Sequence, residues 1–248
     1  MLEWSLLSFL NYSGLCPQII IHDDGTIKPP SARILAARFN NLRVLFRSEA
    51  DRMIDQRRDI PLVIKQARQR GHRVLAQLVD VILLSAGRKI MVMDSDVLFF
   101  KRPEEIIKFV NGQTNYQALV SRQYGSYDLL MDKVYARKHD LIGKQAGYMN
   151  PGFIAYDKNS ITMEMLADYF QHTRRGPDSF FMPMAGWGCL LAQINFAFLP
   201  PEKYIMKGRP DANVTMKHFT GPRRHEFFAY GIDLVRQAMK ANHRYLQK

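Results

Sequence analysis

Cysteine is scarce in this chain of 248 residues, which contains only Cys16 and Cys189. Two cysteines without metal-ligand spacing exclude a disulfide framework and a cysteine-based zinc motif, and they favour a reducing compartment. No apolar run reaches 18 residues, so the sequence predicts no membrane-spanning helix. The first ten residues carry Glu3 and no basic start, which is unlike a signal peptide. We therefore expect a cytoplasmic location, with peripheral contact at a membrane surface left open.

Internal repeats, low-complexity segments and linkers are also lacking, which excludes a repeat array and disfavours several separate domains. An apolar content of 47% and a charged content of 23% are those of a globular chain with a sizeable core. We therefore expect a single domain over residues 1–248.

Negative charge is in short supply, because 23 Asp and Glu stand against 35 Lys and Arg, a formal charge of +12. This excess favours anionic partners such as phosphorylated ligands, a membrane surface or nucleic acid. The basic residues are spread along the chain and do not cluster with aromatic residues. A nucleic-acid partner is therefore disfavoured.

Strand-like and helix-like runs alternate, which predicts an α/β fold. The predicted strands lie in "QIIIHDDGTI", "KIMVMD", "YQALVSR", "GFIAYD", "FAFLP" and "NVTMKHFT". The predicted helices are 3–12, 30–39, 61–86 with a break near Gly71, "RPEEIIKFV", "TMEMLADYFQHT", "WGCLLAQI" and 225–246. The chain opens on a helix, whereas α/β units usually begin with a strand, so a missing first strand is part of this prediction.

Asp94 and Asp96 interrupt the apolar run "IMVMDSDVLFF", residues 90–100. Carboxylates are costly to bury unless they are paired or bound to a cation. Side chains at i and i+2 share one face of a strand. At the carboxyl end of a strand, two such carboxylates can hold Mg²⁺ or Mn²⁺ while leaving coordination sites for substrate phosphates. A pair that caps a loop is the alternative, because Asp-x-Asp alone is a weak signal.

The segment "MKHFTGPRRHEFF", residues 216–228, carries the second informative pattern. His218 follows an apolar strand, and Gly221 and Arg224 come at successive intervals of three residues. Histidine can supply a third metal ligand, glycine lets backbone approach a phosphate, and arginine can bind a diphosphate. A lone histidine is more often structural, so the spacing is what favours a ligand here.

Three motifs, "MDSDVLFFKRP", "MNPGFIAYD" and "HFTGPRR", follow one another in this chain. In this order the sequence resembles the GT-A glycosyltransferases, especially the retaining family that includes glycogenin and bacterial lipopolysaccharide galactosyltransferases. The resemblance spans about residues 5–230, and each motif alone is modest. It implies an α/β GT-A fold, a Rossmann-like α/β/α sandwich with a central mixed, mostly parallel sheet.

The same resemblance implies a function. It implies a Mn²⁺-dependent (or Mg²⁺-dependent) hexosyltransferase that moves a sugar from a nucleotide-diphosphate sugar to an acceptor hydroxyl with retention. A UDP-sugar is the expected donor, and the acceptor is left open between a glycan, a lipid-linked sugar and a protein. Carried over to this sequence, the metal ligands are Asp94, Asp96 and His218, the diphosphate contacts are Gly221 and Arg224, and Asn150 and Gly152 line the sugar and acceptor pocket. A simple turn is the alternative for the last two.

The sequence departs from the family at several positions. The acidic pair that opens a later helix in the family is replaced by "AGWGCLLAQ", which makes Trp187 a candidate for stacking on an acceptor sugar, with a core anchor as the alternative. Arg73 is the nearest counterpart of the family's basic residue before Asp-x-Asp, one turn too early. Arg73 and Ser95 complete the expected nucleotide-binding residues. An inverting reaction would need a base, for which Asp128 or Asp178 would have to serve.

Two rival interpretations remain. "IIIHDDGTI" is similar to the motif of haloacid dehalogenase-type phosphohydrolases, but His22 stands where the nucleophilic aspartate is required. Asp23 and Asp24 are therefore expected to be structural. The other rival is a catalytically degenerate GT-A-like domain that binds a nucleotide or a partner without turnover, which the missing acidic pair and first strand favour.

Overall fold

The computed structural model describes residues 1–125, 132–143 and 146–246. Its helices are α1 (Leu2–Ser13), α2 (Pro29–Arg38), α3 (Arg47–Gln56), α4 (Leu62–Arg70), α5 (Ala76–Leu84), α6 (Glu104–Val110), α7 (Lys133–Lys138), α8 (Met163–His172), α9 (Met182–Leu191), α10 (Arg224–Glu226) and α11 (Ile232–Leu246). Its strands are β1 (Ile19–His22), β2 (Leu42–Leu45), β3 (Lys89–Met93), β4 (Val97–Phe99), β5 (Ala118–Arg122), β6 (Met149–Asp157), β7 (Phe196–Phe198), β8 (Tyr204–Ile205) and β9 (Met216–His218). None of the described helices is both long and apolar enough to cross a bilayer.

The strands form three hydrogen-bonded sheets, in the orders β1-β2, β3-β6-β5-β7 and β4-β9-β8. The pairs β1/β2, β5/β7 and β8/β9 are parallel, and the pairs β3/β6, β5/β6 and β4/β9 are antiparallel. The predicted mixed α/β arrangement is confirmed. Parallel and antiparallel pairs are equally numerous among the described strands, rather than mostly parallel, because β6 runs against both of its neighbours.

Both faces of the four-stranded sheet are covered. Ile154 and Tyr156 of β6 face one apolar core with α5, α8 and α9, whereas Phe153 and Ala155 face another with α1, β4 and α6. Successive side chains of a strand point to opposite faces, so a strand buried on both faces is a continuous apolar run, as "GFIAY" is. The result is the layered α/β/α arrangement that the sequence predicts.

One edge of this sheet gathers the strand ends that position the candidate site. The strands β3, β5 and β7 are parallel to one another and end there at Met93, Arg122 and Phe198, and β6 begins there at Met149. Open α/β sheets bind ligands beyond the carboxyl ends of their strands. Three of the four strands offer such an end at this edge.

The helical region over 61–86 breaks where the sequence predicts. The helix α4 ends before Gly71, and α5 follows a single 3-10 turn, Arg73–Leu75. A side chain at Gly71 would meet the Ala67 carbonyl oxygen at 2.6 Å, so only glycine fits the close approach of these turns. The helix predicted in "TMEMLADYFQHT" is also placed correctly. It is α8, which Thr162 caps by accepting the Met165 N–H at 3.2 Å.

Other elements differ from the sequence prediction. The short strands β2, β4 and β8 and the helices α3 and α7 were not predicted. The predicted final helix over 225–246 is one helical stretch, but a π-helical segment, Phe227–Gly231, lies within it between α10 and α11. Such segments are rare and often lie at functional sites.

Candidate metal and nucleotide site

The two aspartates lie where the chain crosses between sheets. The strand β3 ends at Met93, and β4 starts at Val97 in a different sheet, so Asp94–Asp96 is the three-residue connection. The Asp94 N–H donates to the Gly152 carbonyl at 2.9 Å, and the Asp96 carbonyl accepts the Phe219 N–H at 2.8 Å. Each aspartate is therefore fixed by backbone to a different sheet, just beyond the end of β3.

His218 closes this connection into a three-residue cluster. It ends β9, pairs with Val97 in the strand register, and directs its ring at both carboxylates. Its Nε2 lies 3.1 Å from Asp96 Oδ1 and 3.5 Å from Asp94 Oδ2. One ligand atom from each of the three residues lies within 4.8 Å of the other two. We call Asp94, Asp96 and His218 the metal cluster.

Hydrogen bonds around Asn150 fix which nitrogen of His218 faces the carboxylates. Asn150 Oδ1 accepts the Gly152 N–H at 2.9 Å, and a backbone N–H can only donate, so this atom is the amide oxygen. The same oxygen lies 2.9 Å from His218 Nδ1, which must therefore carry the hydrogen. A neutral His218 then directs the lone pair of Nε2 at two carboxylates. This arrangement is repulsive unless a proton or a cation lies between them, and it suits a divalent cation.

Gly152 gives His218 its space. A side chain at this position would overlap the Cε1 and Nδ1 atoms of the imidazole and would lie 2.8 Å from Asn150 Oδ1. The pairing of β5 with β6 is interrupted here, because Val120 is opposite Ile154 while the next residue, Ser121, is opposite Asn150. A bulge of this kind tolerates Pro151 and redirects side chains. "NPG" therefore forms the support of the metal-cluster histidine.

The two carboxyl groups have different electrostatic surroundings. The pKa of Asp94 is raised to about 6 by burial and by the charge of Asp96, although the charge of His218 opposes this rise. Burial would also raise the pKa of Asp96, but hydrogen bonds and charge from His218 and Arg224 outweigh it and hold that pKa below its usual value. Asp96 is thus a firmly ionised group, and Asp94 carries a charge that the protein leaves under-compensated.

Arg224 contacts the metal cluster directly. Its Nε donates to Asp96 Oδ2 at 2.8 Å, while 61% of the side chain stays exposed. The guanidinium has further N–H groups that can reach a phosphate from this position. Gly221 precedes it with a φ of 55°, a left-handed conformation that glycine adopts without strain. Both predicted diphosphate residues therefore lie in one turn beside the metal cluster.

Lys217 anchors that turn, and the sequence analysis did not single it out. Its side chain is fully buried, and its Nζ donates to the Gly208 carbonyl at 2.5 Å, to Glu226 at 2.6 Å and to Tyr230 Oη at 2.7 Å. Burial lowers the pKa of Lys217, and the Glu226 charge opposes this. The contacts tie β9 to the final helical region and hold both ends of the segment that carries Gly221 and Arg224.

Gln77 is another site residue that the sequence analysis did not single out. It lies on α5, one turn after Arg73, and its Nε2 donates to Asp94 Oδ1 at 2.6 Å. Arg73 itself is 61% exposed and pairs with Asp24 at 3.7 Å. The side chain that reaches the metal cluster from the preceding helix is therefore the glutamine. The spacing of one turn, already evident in the sequence, was the available signal.

Trp187 lies in the apolar core on one face of the four-stranded sheet. Its side chain is fully buried in the core, with its ring centroid 5.5 Å from that of Tyr156. A ring with no exposed face has none to offer an acceptor sugar, which agrees with the alternative of a core anchor. Ser95 is exposed between the two aspartates. Asp178 is exposed, and Asp128 lies outside the described residues.

The aspartates after β1 shape a loop, as expected. Asp23 is buried, and its Oδ1 accepts the N–H groups of Gly25 and Ile27, each at 2.9 Å. Asp24 accepts the Thr26 hydroxyl at 2.6 Å. These hydrogen bonds form a turn and leave no arrangement for phosphoryl chemistry at His22.

The fold and the site together define a class: an α/β GT-A fold with a candidate divalent-metal cluster just beyond the carboxyl end of strand β3. Two solved structures to which this chain is similar are glycosyltransferases. The galactosyltransferase LgtC, in complex with donor and acceptor sugar analogs, has a TM-score of 0.52 at 13% identity over 97% of this chain and 91% of that one. The apo form of mouse xyloside xylosyltransferase 1 has a TM-score of 0.49 at 10% identity over 87% and 90% of the two chains.

No protein-family model matches the sequence, and no curated protein matches it at a significant level. At this identity the likeness to LgtC shows the fold, and the fold predicted from the sequence is confirmed.

Proposed function

We propose that this protein is a metal-dependent glycosyltransferase that transfers a sugar from a nucleotide-diphosphate sugar to an acceptor hydroxyl. A UDP-sugar is the first donor to test. The observation that carries the proposal is the metal cluster, in which a histidine of fixed tautomer faces two aspartates at the edge of a GT-A sheet. The glycosyltransferase folds that the chain resembles support the reaction class.

The residues of the metal cluster fit a divalent cation by their chemistry. Two carboxylates and one neutral imidazole nitrogen are ligands that Mn²⁺ accepts, and Mg²⁺ prefers the oxygens among them. When bound, such a cation supplies charge that stabilises a departing diphosphate. The metal ligands would be Asp94, Asp96 and His218.

The neighbouring residues have separate roles in this proposal. Asn150 holds the Nδ1 hydrogen of His218 and so keeps Nε2 available as a ligand. Arg224 keeps one nitrogen on Asp96 and offers its exposed N–H groups to a phosphate, while Gly221 lets backbone come close to the same group. Together they stabilise negative charge as it develops on the leaving group. Ser95 and Arg73 remain predicted donor contacts.

Retention of the anomeric configuration belongs to the same proposal and rests on the sequence resemblance. It is checked by recording the proton NMR spectrum of the product at early times, once an acceptor is found. A product of the donor's configuration agrees with retention, and the opposite configuration would assign an inverting mechanism instead.

The test of the proposal is a calorimetric titration of UDP with and without Mn²⁺, using the wild-type protein, the double variant Asp94→Asn with Asp96→Asn, and Asp55→Asn. Asp55 is an exposed aspartate of α3 and serves as the matched control. We expect Mn²⁺ to strengthen UDP binding in the wild type and in the control but not in the double variant. Mn²⁺-independent binding in the wild type would remove the metal cluster from the proposal.

A degenerate nucleotide-binding domain is the second candidate, and one specific observation favours it. Asp96 is already paired with Arg224 and His218, and α9 contains no acidic residue between Met182 and Leu191. Slow hydrolysis of UDP-sugars distinguishes the two candidates. Mn²⁺-dependent hydrolysis that the double variant loses supports the enzyme, whereas Mn²⁺-dependent binding without any hydrolysis or transfer supports the binding domain.

A further inference from the structure

A second group of side chains suited to ligand binding surrounds Arg122, at the same edge of the four-stranded sheet. This residue ends β5, and its guanidinium carbon lies 5.4 Å from the ring centroid of Tyr148 and 5.3 Å from that of Phe198. All three side chains are half-buried. Aromatic faces on a guanidinium hold its plane while leaving the N–H groups at its rim free to donate. The guanidinium of Arg122 is therefore preorganised for binding a ligand.

The position of Arg122 relates it to the metal cluster. Along the order β3-β6-β5-β7, its strand is two places from the strand that leads to Asp94. Neighbouring strands are about 4.8 Å apart, so the two positions are roughly 10 Å apart along the edge. Gln123, the next residue, accepts the Asn150 Nδ2–H at 2.7 Å, and Asn150 holds His218. Arg122 thus borders the candidate site, two strands away from the connection that carries Asp94 and Asp96.

The charge of this border is positive. Lys207 lies over the ring of Tyr124, with its Nζ 5.3 Å from the centroid, and Tyr124 is two residues after Arg122. Within residues 1–125, 132–143 and 146–246, neither Arg122 nor Lys207 has a carboxylate partner. A half-buried guanidinium is suited to bidentate binding of a phosphate or carboxylate. Tyr124 and Tyr148 add aromatic surface of the kind that sugars stack on.

We propose that this border is the acceptor subsite and that it takes a sugar bearing an anionic group, a phosphate or a carboxylate, with Arg122 as the anchor. The inference rests on the proposed glycosyl transfer function. The proposed function assigns the donor diphosphate to the metal cluster and Arg224. A second anion bound at Arg122, two strands away, therefore belongs to the acceptor. Lys207 supplies the second cation, and Tyr124 and Tyr148 line the sugar between them.

The test compares sugars that differ only in charge. Binding of galactose and glucose, of their 6-phosphates, of their uronic acids and of inorganic phosphate is measured by calorimetry on protein loaded with Mn²⁺ and UDP. The variants are Arg122→Met, which keeps a long side chain between the aromatic rings, and Arg122→Lys, which keeps the charge. Arg88→Met is the matched control, because Arg88 is an exposed arginine before β3, at the opposite edge of the same sheet.

We expect at least one charged sugar to bind about tenfold more tightly than its neutral counterpart in the wild type and in Arg88→Met. Arg122→Met should abolish that difference, and Arg122→Lys should keep part of it. The phosphate and uronate arms show which anion is preferred. Equal binding of neutral and charged sugars overturns the proposal, and so does inorganic phosphate that binds as tightly as the sugar phosphate.

The binding of UDP with Mn²⁺ separates this inference from the proposed function. It should be the same in Arg122→Met as in the wild type, since Arg122 does not contact the metal cluster. If UDP binding fails in the wild type as well, the proposed function is wrong. If UDP binding holds and the charged sugars show no dependence on Arg122, only the acceptor assignment is wrong. Arg122→Lys keeps the test valid should Arg122→Met fold poorly.

Discussion

Two clusters of charged side chains, each built around buried groups, look alike in composition and differ in charge balance. The first, here the helix cluster, consists of Arg47, Asp51, Arg68 and Asp80 and joins α3, α4 and α5. Arg68 is 4% exposed and binds Asp80 through two hydrogen bonds of 2.5 and 2.9 Å, and it also pairs with Asp51. Arg47 pairs with Asp51 at 3.0 Å. Two guanidinium groups thus meet two carboxylates.

The metal cluster lacks this balance. Its two carboxylates meet one guanidinium, that of Arg224, and a histidine whose neutral form adds no charge. Two negative charges less one positive charge leave a single negative charge among half-buried and buried groups. A cluster that is complete within the protein stabilises a fold, whereas an incomplete one is suited to bind what it lacks. The difference in charge balance is what separates a structural site from a binding site here.

The largest effect is expected from breaking the helix cluster. The substitution Asp80→Asn leaves the buried guanidinium of Arg68 without its main counter-charge, which should lower the free energy of unfolding by about 3–5 kcal/mol. Urea denaturation monitored by circular dichroism measures this. The Mn²⁺ affinity of the folded protein should not change. A loss below about 1 kcal/mol would show that the charge balance of this cluster does little for the fold.

The matching substitution in the metal cluster should have little effect on stability and a large effect on Mn²⁺ affinity. The pKa of Asp94 is raised from 3.8 to about 6, chiefly by burial, so ionising Asp94 costs folding stability, and this cost grows as the pH rises from 3.8 to about 6 and is complete above that pH. A neutral residue removes this cost, and Asp94→Asn should therefore leave the metal-free protein at neutral pH as stable as the wild type or slightly more so. Its Mn²⁺ affinity should fall by at least about 100-fold, since loss of outer contacts to a metal already costs 10–100-fold.

Calorimetric Mn²⁺ titration and urea denaturation check these two outcomes separately. Asp55→Asn is again the control for removal of one exposed carboxylate. A clear loss of stability in Asp94→Asn with unchanged Mn²⁺ affinity would place Asp94 in the same structural category as Asp80.

A third variant sharpens the comparison by leaving every charge in place. Gly152→Ala pushes a methyl group into the imidazole of His218, which displaces the ring from the two carboxylates. We expect a loss of about 1–3 kcal/mol in stability and at least about a tenfold loss of Mn²⁺ affinity. The control is Gly176→Ala, whose new methyl group meets only the flexible end of the exposed Asp178 side chain. Unchanged Mn²⁺ binding in Gly152→Ala would mean that the position of His218 does not matter for the metal.

The sequence predicts the metal cluster well because its signals are local. Asp94 and Asp96 stand out as charges in an apolar run, and His218 follows an apolar strand, so each is evident without knowledge of the others. The α/β fold follows from the alternation of strand and helix patterns. Gly152 was also singled out, and the structure shows that it makes room for the imidazole ring of His218.

Long-range contacts account for what the sequence analysis missed. A buried Lys217 next to His218 looks like one more basic residue until Glu226 and Tyr230 are seen around it. The change of sheet between β3 and β4 could not be predicted because it depends on the pairing of β4 with β9, which is far along the chain. Trp187 is as consistent with an acceptor site as with a core until its burial is known.

The smallest effect that we predict concerns which residue of the preceding helical region supports the metal cluster. Gln77 donates to Asp94, whereas Arg73 pairs with Asp24 at the surface. Gln77→Met removes the hydrogen bond and keeps the length of the side chain, and it should lower Mn²⁺ affinity about tenfold. Arg73→Gln should leave it unchanged. The same titrations measure both, and the reverse result would restore Arg73 as the helix residue that serves the site. Because Gln77 is neutral, its support leaves the charge of the metal cluster incomplete, as a cation site requires.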